Sequence, residues 1–406
     1  MKKSIFIAVI FLILFIFISC NKAPKDTVVF STGGAPAELA VWEEVIKDFT
    51  ALTGIKVELN RQPTDSDLRR QGLVVPMKAK KTTPDVFMMD VAWIAQFAAS
   101  GWLFEFPKEY ADKGVFFESI ISTADVYNDK VIALPVNVDG GVLYYRKDIA
   151  KPPETWEQLV MLSKKHNMPF VWQGAQYEGL VCNFLEYAIS AGGGINLESK
   201  NIVNSGENIK ALAFMKGLIH ADKVSPANTY TEMKEEEVRN VFQSGKALFE
   251  RNWPYAWALH ESDDSAVKGK TGIAPLPYFK GNKSASTLGG WHVGVSRYSV
   301  NKDKSLRFAE YITSYDVQKK FALKLGWNPA HKSVYKDREV LGKYPHFSAL
   351  SGVFNNAAAR PNVPYYTQLS SILQKHLNSA LAGRTEPKGA LDSAENEIKA
   401  AIKRYE

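Results

Sequence analysis

The chain has 406 residues, 46% hydrophobic and 23% charged, which is ordinary for a globular protein and long enough for two sizeable cores. Lysine and arginine number 50 against 43 acidic residues, a formal charge of +7, and the basic residues are scattered, with no run beyond Lys78, Lys80 and Lys81. That dispersion argues against a nucleic-acid partner, and the mild positive balance says little about any other ligand.

Lys2 and Lys3 precede an apolar run over residues 5–18, short for a membrane span and right for a secretory signal. The run ends Phe17-Ile18-Ser19-Cys20 and resembles a bacterial lipoprotein signal, in which the cysteine is lipidated and becomes the mature N-terminus. Phe17 stands where leucine is usual, and an uncleaved N-terminal anchor is the alternative. Residues 1–19 are read as signal peptide and 20–26 as a lipidated tether, and both alternatives place the body of the protein outside the cytoplasm. With Cys20 consumed, Cys182 has no partner for a disulfide and reads as a small buried hydrophobe.

Residues 28–30 form a first strand. Leu39, Trp42, Val45, Ile46, Phe49 and Leu52 recur on one face of a helix over 35–53, and Gly54 stands where a left-handed C-cap is wanted. Ile55, Val57 and Leu59 alternate as a strand, so the unit is βαβ and the sheet parallel. A weaker helix over 67–81 leads to a strand over 86–89 that ends at Asp90. Ligands of open α/β sheets lie beyond the carboxyl ends of strands. Asp90 is therefore a binding candidate, and equally a cap for the helix that begins at Val91.

Residues 127–149 organise the rest. Val131 to Leu134 suit a buried strand, which Pro135 is expected to end because proline has no N–H for the ladder. Asn137, Asp139, Gly140 and Gly141 follow, and residues 142–145 resume as a strand. A buried strand that breaks, shows amide and carboxylate groups and resumes predicts a crossing between two lobes with a ligand there.

Helices are predicted over 152–165, 180–191, 208–221, 235–245, 306–313, 316–325, 369–381 and 391–402, with strands over 170–172, 247–250 and 272–276. Gly192 to Gly194 lack the order of a phosphate-binding loop. The seven histidines are dispersed without metal-ligand spacing, so no cofactor or metal is expected. Trp253 and Trp257 follow a strand. Leu288 to Ser296 read LGGWHVGVS, a second crossing strand in which Gly290 lets backbone approach closely beside Trp291.

The ordered segments PDVFMMD, ALP to LYYRKD, PPETWEQL, GKALFERNW, LGGWHVGVS and ARPNVPYY resemble family 1 of the extracellular solute-binding proteins of ABC transporters. PDVFMMDVAWIAQFAASGWL and ARPNVPYY look most like its maltose/trehalose-binding branch. The resemblance implies a two-lobed α/β fold of the periplasmic-binding-protein type II, with a ligand cleft between lobes joined by crossover strands. Lobe I would hold residues 27–136 and 294–345, and lobe II 137–293 and 346–406. It also implies an ABC permease as partner, a monomer, a sugar ligand and no enzymatic activity. By match to its motifs, Asp90, Asp139, Trp253, Gly290, Trp291 and Arg360 fall on ligand-contacting positions. Glu38, Arg69 and Asn137 are looser matches, with Arg70 an alternative to Arg69 and Asn137 standing where disaccharide binders often carry an aromatic.

These residue types suit a sugar. Indoles cover C–H faces, carboxylates accept from adjacent hydroxyls, and a guanidinium donates in a fixed fork. Against this, a tryptophan is more often core, the reading kept for Trp42, Trp156 and Trp257, and Arg360 alone reads as a surface ion pair. The rival class is a secreted glycoside hydrolase using Asp90 and Asp139 as its carboxylate pair.

Overall fold

The computed structural model describes residues 26–405 apart from 113, 118–119, 122–124, 348–349 and 351–356. The leader, Cys20 and the tether up to residue 25 lie outside the described residues. In chain order the strands are β1 (Thr27–Gly33), β2 (Lys56–Gln62), β3 (Val86–Asp90), β4 (Val126–Tyr127), β5 (Lys130–Val131) and β6 (Leu134–Gly140). Then come β7 (Val142–Arg146), β8 (Phe170–Val171), β9 (Phe249–Asn252), β10 (Thr271–Ala274), β11 (Ser286–Val295) and β12 (Ala357–Ala358).

The first sheet has the order β12-β11-β3-β1-β2, with β6 also paired to β11. β1 runs parallel to β2 and β3, as the βαβ pattern predicts, and the Pro36–Thr53 helix between β1 and β2 ends on Gly54 at φ 73°. Trp42 from that helix is fully buried, its ring 4.9 Å from Phe30 and 4.6 Å from Phe321, so Trp42→Ala would cost about 3–5 kcal/mol. Leu52 departs from the expected stripe: it is 74% exposed.

The second sheet has the order β10-β7-β9-β8. Its core gathers Trp156, Leu180, Phe184, Leu212 and Met215 with Leu373 and Leu391 of the closing helices. A third cluster joins Val142, Tyr144 and Phe242 to Ala322, Val334, Val340 and Tyr344, so the stretch after β11 packs against both halves. Trp156 is core as read, and Trp257 is half-buried against His346 at 4.2 Å.

One local expectation is overturned. Pro135 does not end a strand; it lies inside β6, which carries Asn137 and Asp139 on continuous extended backbone. Opposite it, the pairing with β11 slips between Trp291 and His292, and this irregularity accommodates a residue without an N–H. The break falls instead at Gly141, between β6 of the first sheet and β7 of the second.

Candidate functional site

Strand register alone assembles one wall. β11 runs antiparallel to both β3 and β6, setting Trp291 opposite Asp90 on one side and opposite Asn137 on the other. Gly289 faces Asp139 across the same pair, and side chains two residues apart share a face. Four of the expected side chains therefore project together because three neighbouring strands hold them in step. Gly290 has φ 137°, and a Cβ there would stand 2.5 Å from the Asn137 carbonyl oxygen, so only glycine fits.

These residues border a cavity of about 340 Å³, and all nine expected binding residues line it: Glu38, Arg69, Asp90, Asn137, Asp139, Trp253, Gly290, Trp291 and Arg360. Glu38 sits in the first turn of the Pro36–Thr53 helix, accepting from the Ala35 N–H at 2.6 Å and from Trp327 Nε1 at 3.1 Å. Arg69, from the Ser66–Lys78 helix, lies over the Trp291 ring at 3.6 Å from its centroid. Arg70 instead donates to Gln96 Oε1 at 3.4 Å and does not line the cavity, so the geometry selects Arg69. Trp253 follows β9, with the Arg251 guanidinium 4.0 Å from its ring centre.

Asp90 makes the cap foreseen for it and lines the cavity. Its Oδ1 accepts from the Ala92 N–H at 2.8 Å, capping the following turn, and from Arg360 Nη2 at 2.7 Å. Arg360 is no surface pair: it is buried, and its Nη1 also donates to Glu178 Oε1 at 2.9 Å. Asn137 donates to Asp139 Oδ2 at 2.8 Å, while its own Oδ1 is buried without a partner. Arg69 Nε and Arg360 Nε are likewise buried without a partner.

The cavity is acidic. Eight carboxylates line it against Arg69, Lys234 and Arg360. Burial, reinforced by the nearby Glu38 and Asp90 charges, pushes the Asp139 carboxyl up to about 7. Burial also raises Glu38 and pulls the Arg69 guanidinium down to about 10. Among the described residues no cluster of three or more His, Cys, Asp or Glu is arranged to hold a metal ion.

Sequence reasoning missed Glu178, Glu235, Tyr255, Trp327 and the pair Asp65–Lys234. Glu178 opens a helix and accepts from Arg360, Tyr366 and Ser370, while Glu235 accepts from Trp253 Nε1 at 3.4 Å. Asp65 caps the Ser66–Lys78 helix and also pairs with Lys234 across the mouth. An acidic residue in a first helical turn has an ordinary explanation as a dipole partner, so nothing in the sequence set Glu178 and Glu235 apart.

Two α/β halves on separate sheets, crossed by the chain at Gly141 and again before β11, with a hydrogen-bonding hollow between them, define a two-lobed ligand-binding protein. The chain belongs to the bacterial extracellular solute-binding proteins, whose family model matches residues 33–319. A "Probable ABC transporter-binding protein" of Deinococcus radiodurans is 36% identical over 369 residues, 85% of this chain and 86% of that protein. Maltose-bound T. maritima MalE3 superposes with a TM-score of 0.88 at 39% identity, covering 92% of this chain and 99% of that one. A Thermotoga lettingae ABC-transporter solute-binding protein with bound α-D-tagatose gives 0.84 at 26% identity, over 93% and 100% of the two chains. The fold is thus the two-lobed one of the maltose-binding proteins.

Proposed function

We propose that this protein is the extracytoplasmic capture component of an ABC importer, taking up an uncharged sugar of the maltose/trehalose type, a disaccharide or oligosaccharide, by cleft closure. The observation that carries the reading is the convergence of two indoles, paired carboxylates and two arginines from both halves on one cavity. That a 39%-identical neighbour holds maltose supports it. A charge-assisted hydrogen bond in such a site contributes about 1.5–3 kcal/mol, so a few of them with stacked rings reach micromolar affinity, about −8 kcal/mol. Closure desolvates these groups, which makes the closed form the one the ligand favours and the form a permease would read.

The ligand-contact roles of the nine residues belong to this proposal. So does the lobe division, with crossings at Gly141 and just before β11, because the expected boundaries at 136/137 and 293/294 would cut β6 and β11, both strands of the first sheet; the third boundary stays at 345/346. So too do lipid anchoring through Cys20 and a monomeric state. No helix among the described residues is long and apolar enough to cross a membrane, and the proposal assigns attachment to the lipid. A thermal-shift screen against maltose, trehalose, longer maltodextrins and monosaccharides tests the reading, since a ligand that binds only the native state raises the melting temperature. No shift with any sugar would refute it.

The hydrolase reading draws on one observation, the raised Asp139 carboxyl, which a general acid requires. Incubation with maltose and trehalose separates the two: released glucose favours hydrolysis, and a melting shift with no product favours capture.

A further inference from the structure

Beneath the cavity floor lies a charged pair that the binding reading does not use. Arg251 on β9 and Glu186 in the Glu178–Ser190 helix are each 1% exposed. Arg251 Nε donates to Glu186 Oε2 at 2.9 Å, Nη2 donates to Oε1, and Nη1 reaches Gln173 Oε1 at 3.3 Å. Such a buried pair is weak evidence for stability, because desolvating two charges offsets their attraction. Its surroundings give it another use. The Arg251 guanidinium lies 4.0 Å from the ring centre of Trp253, and Trp253 lines the cavity. Glu186 Oε1 also accepts from the Thr287 N–H of β11 at 3.2 Å. Gly141, the link between β6 and β7, packs so tightly on the pair that a Cβ there would stand 2.1 Å from Glu186 Oε1 and 2.5 Å from Arg251 Nη2. Ser286 Oγ donates to the Gly141 carbonyl at 2.9 Å and closes the ring of contacts.

We propose that Glu186 and Arg251 are a positioning pair that fixes the Trp253 indole at the cavity wall and ties it to the two strands by which the chain crosses between the lobes. The proposal rests on the sugar-binding reading for its effect on affinity. Arg251 supplies a flat cation beneath the ring, a role lysine cannot fill with its compact ammonium. Glu186 sets the plane of that cation by holding two of its nitrogens, and the same carboxylate is anchored to β11. A change in how the chain crosses at Gly141 or Thr287 would therefore be felt at Trp253.

Arg251→Lys tests this. The variant keeps the charge facing Glu186 and is expected to melt within a few degrees of the wild type. It should bind maltose, or the sugar that shifts the wild type most, about ten-fold more weakly, and its near-ultraviolet circular dichroism should differ from that of the wild type. On a Trp253→Phe background the same substitution should leave the dichroism unchanged, because the reporting indole is gone. Glu186→Gln serves the same comparison if Arg251→Lys does not fold. Affinity unchanged, affinity lost only in step with melting temperature, or a spectral change that persists on the Trp253→Phe background would each overturn the proposal. Wild-type protein that responds to no sugar would instead count against the capture reading, and the dichroism comparison, which needs no ligand, would still decide what the pair does.

Discussion

Asp139→Asn in the ligand-free protein should stabilise it at high pH and hardly at all at low pH. Asp139 hangs from β6 into the cavity, held by the Asn137 amide at 2.8 Å and faced by Glu38 and Asp90. Its carboxyl is pushed to about 7 from an ordinary 3.8. Between these values the folded state holds a proton that the unfolded chain has released, so wild-type stability falls as pH rises from about 4 to about 7 and is level above. At 1.36 kcal/mol per pKa unit, the full effect is about 4 kcal/mol. Water reaching the half-buried group screens part of it, and about 2–4 kcal/mol is expected at pH 8, falling below about 1 kcal/mol at pH 4. Urea unfolding of both proteins at several pH values measures the difference, and any shared titrations cancel in it. An asparagine variant whose advantage is the same at pH 4 and pH 8, or absent throughout, would refute the assignment of a strained carboxylate at this position.

Further outcomes follow from the same geometry. Arg360→Ala leaves Glu178 and Asp90 without their shared cation in a buried site and should cost about 3–5 kcal/mol in chemical unfolding, with Arg360→Lys recovering only part because lysine cannot span both carboxylates in a planar fork. Trp291→Ala should weaken sugar binding about 30-fold, the equivalent of about 2 kcal/mol for one indole face, while the strand pairing of β11 keeps the fold. Lys234→Ala removes the tie to Asp65 at the cavity mouth; the pair is partly exposed, so release measured by stopped-flow should quicken only up to about five-fold, and less in high salt.

Much of this architecture could be read along the chain. Trp42, Val45 and Phe49 at helical spacing followed by Gly54 placed the first helix to within a residue of its observed bounds, while the strands on either side run three residues past their expected ends. LGGWHVGVS located β11, the strand whose two neighbours draw Asp90, Asn137 and Asp139 together. Pro135 misled because a missing N–H is harmful only where a partner carbonyl awaits it, and the slipped pairing on β11 removes that demand. The choice between Arg69 and Arg70 stayed open because adjacent helical positions point about 100° apart and that segment offers few apolar residues to set the phase. Glu178, Glu235 and Lys234 were illegible for a different reason. Each lies at or next to the start of a helix, where charge is usual, and only the folding of remote segments brings them to the same hollow.

The central claim is that a sugar is bound, unaltered, by groups converging from both halves of the molecule. Isothermal titration of the purified mature protein with maltose and with trehalose, alongside Trp291→Ala and Asp139→Ala, addresses it most directly. The account predicts a single site of micromolar or tighter affinity for at least one of these sugars, heat that ends at saturation with no slow turnover, and affinity weakened about 30-fold or more in both variants with their folds intact. Undiminished binding in both variants, or continuing heat with glucose appearing in solution, would contradict it.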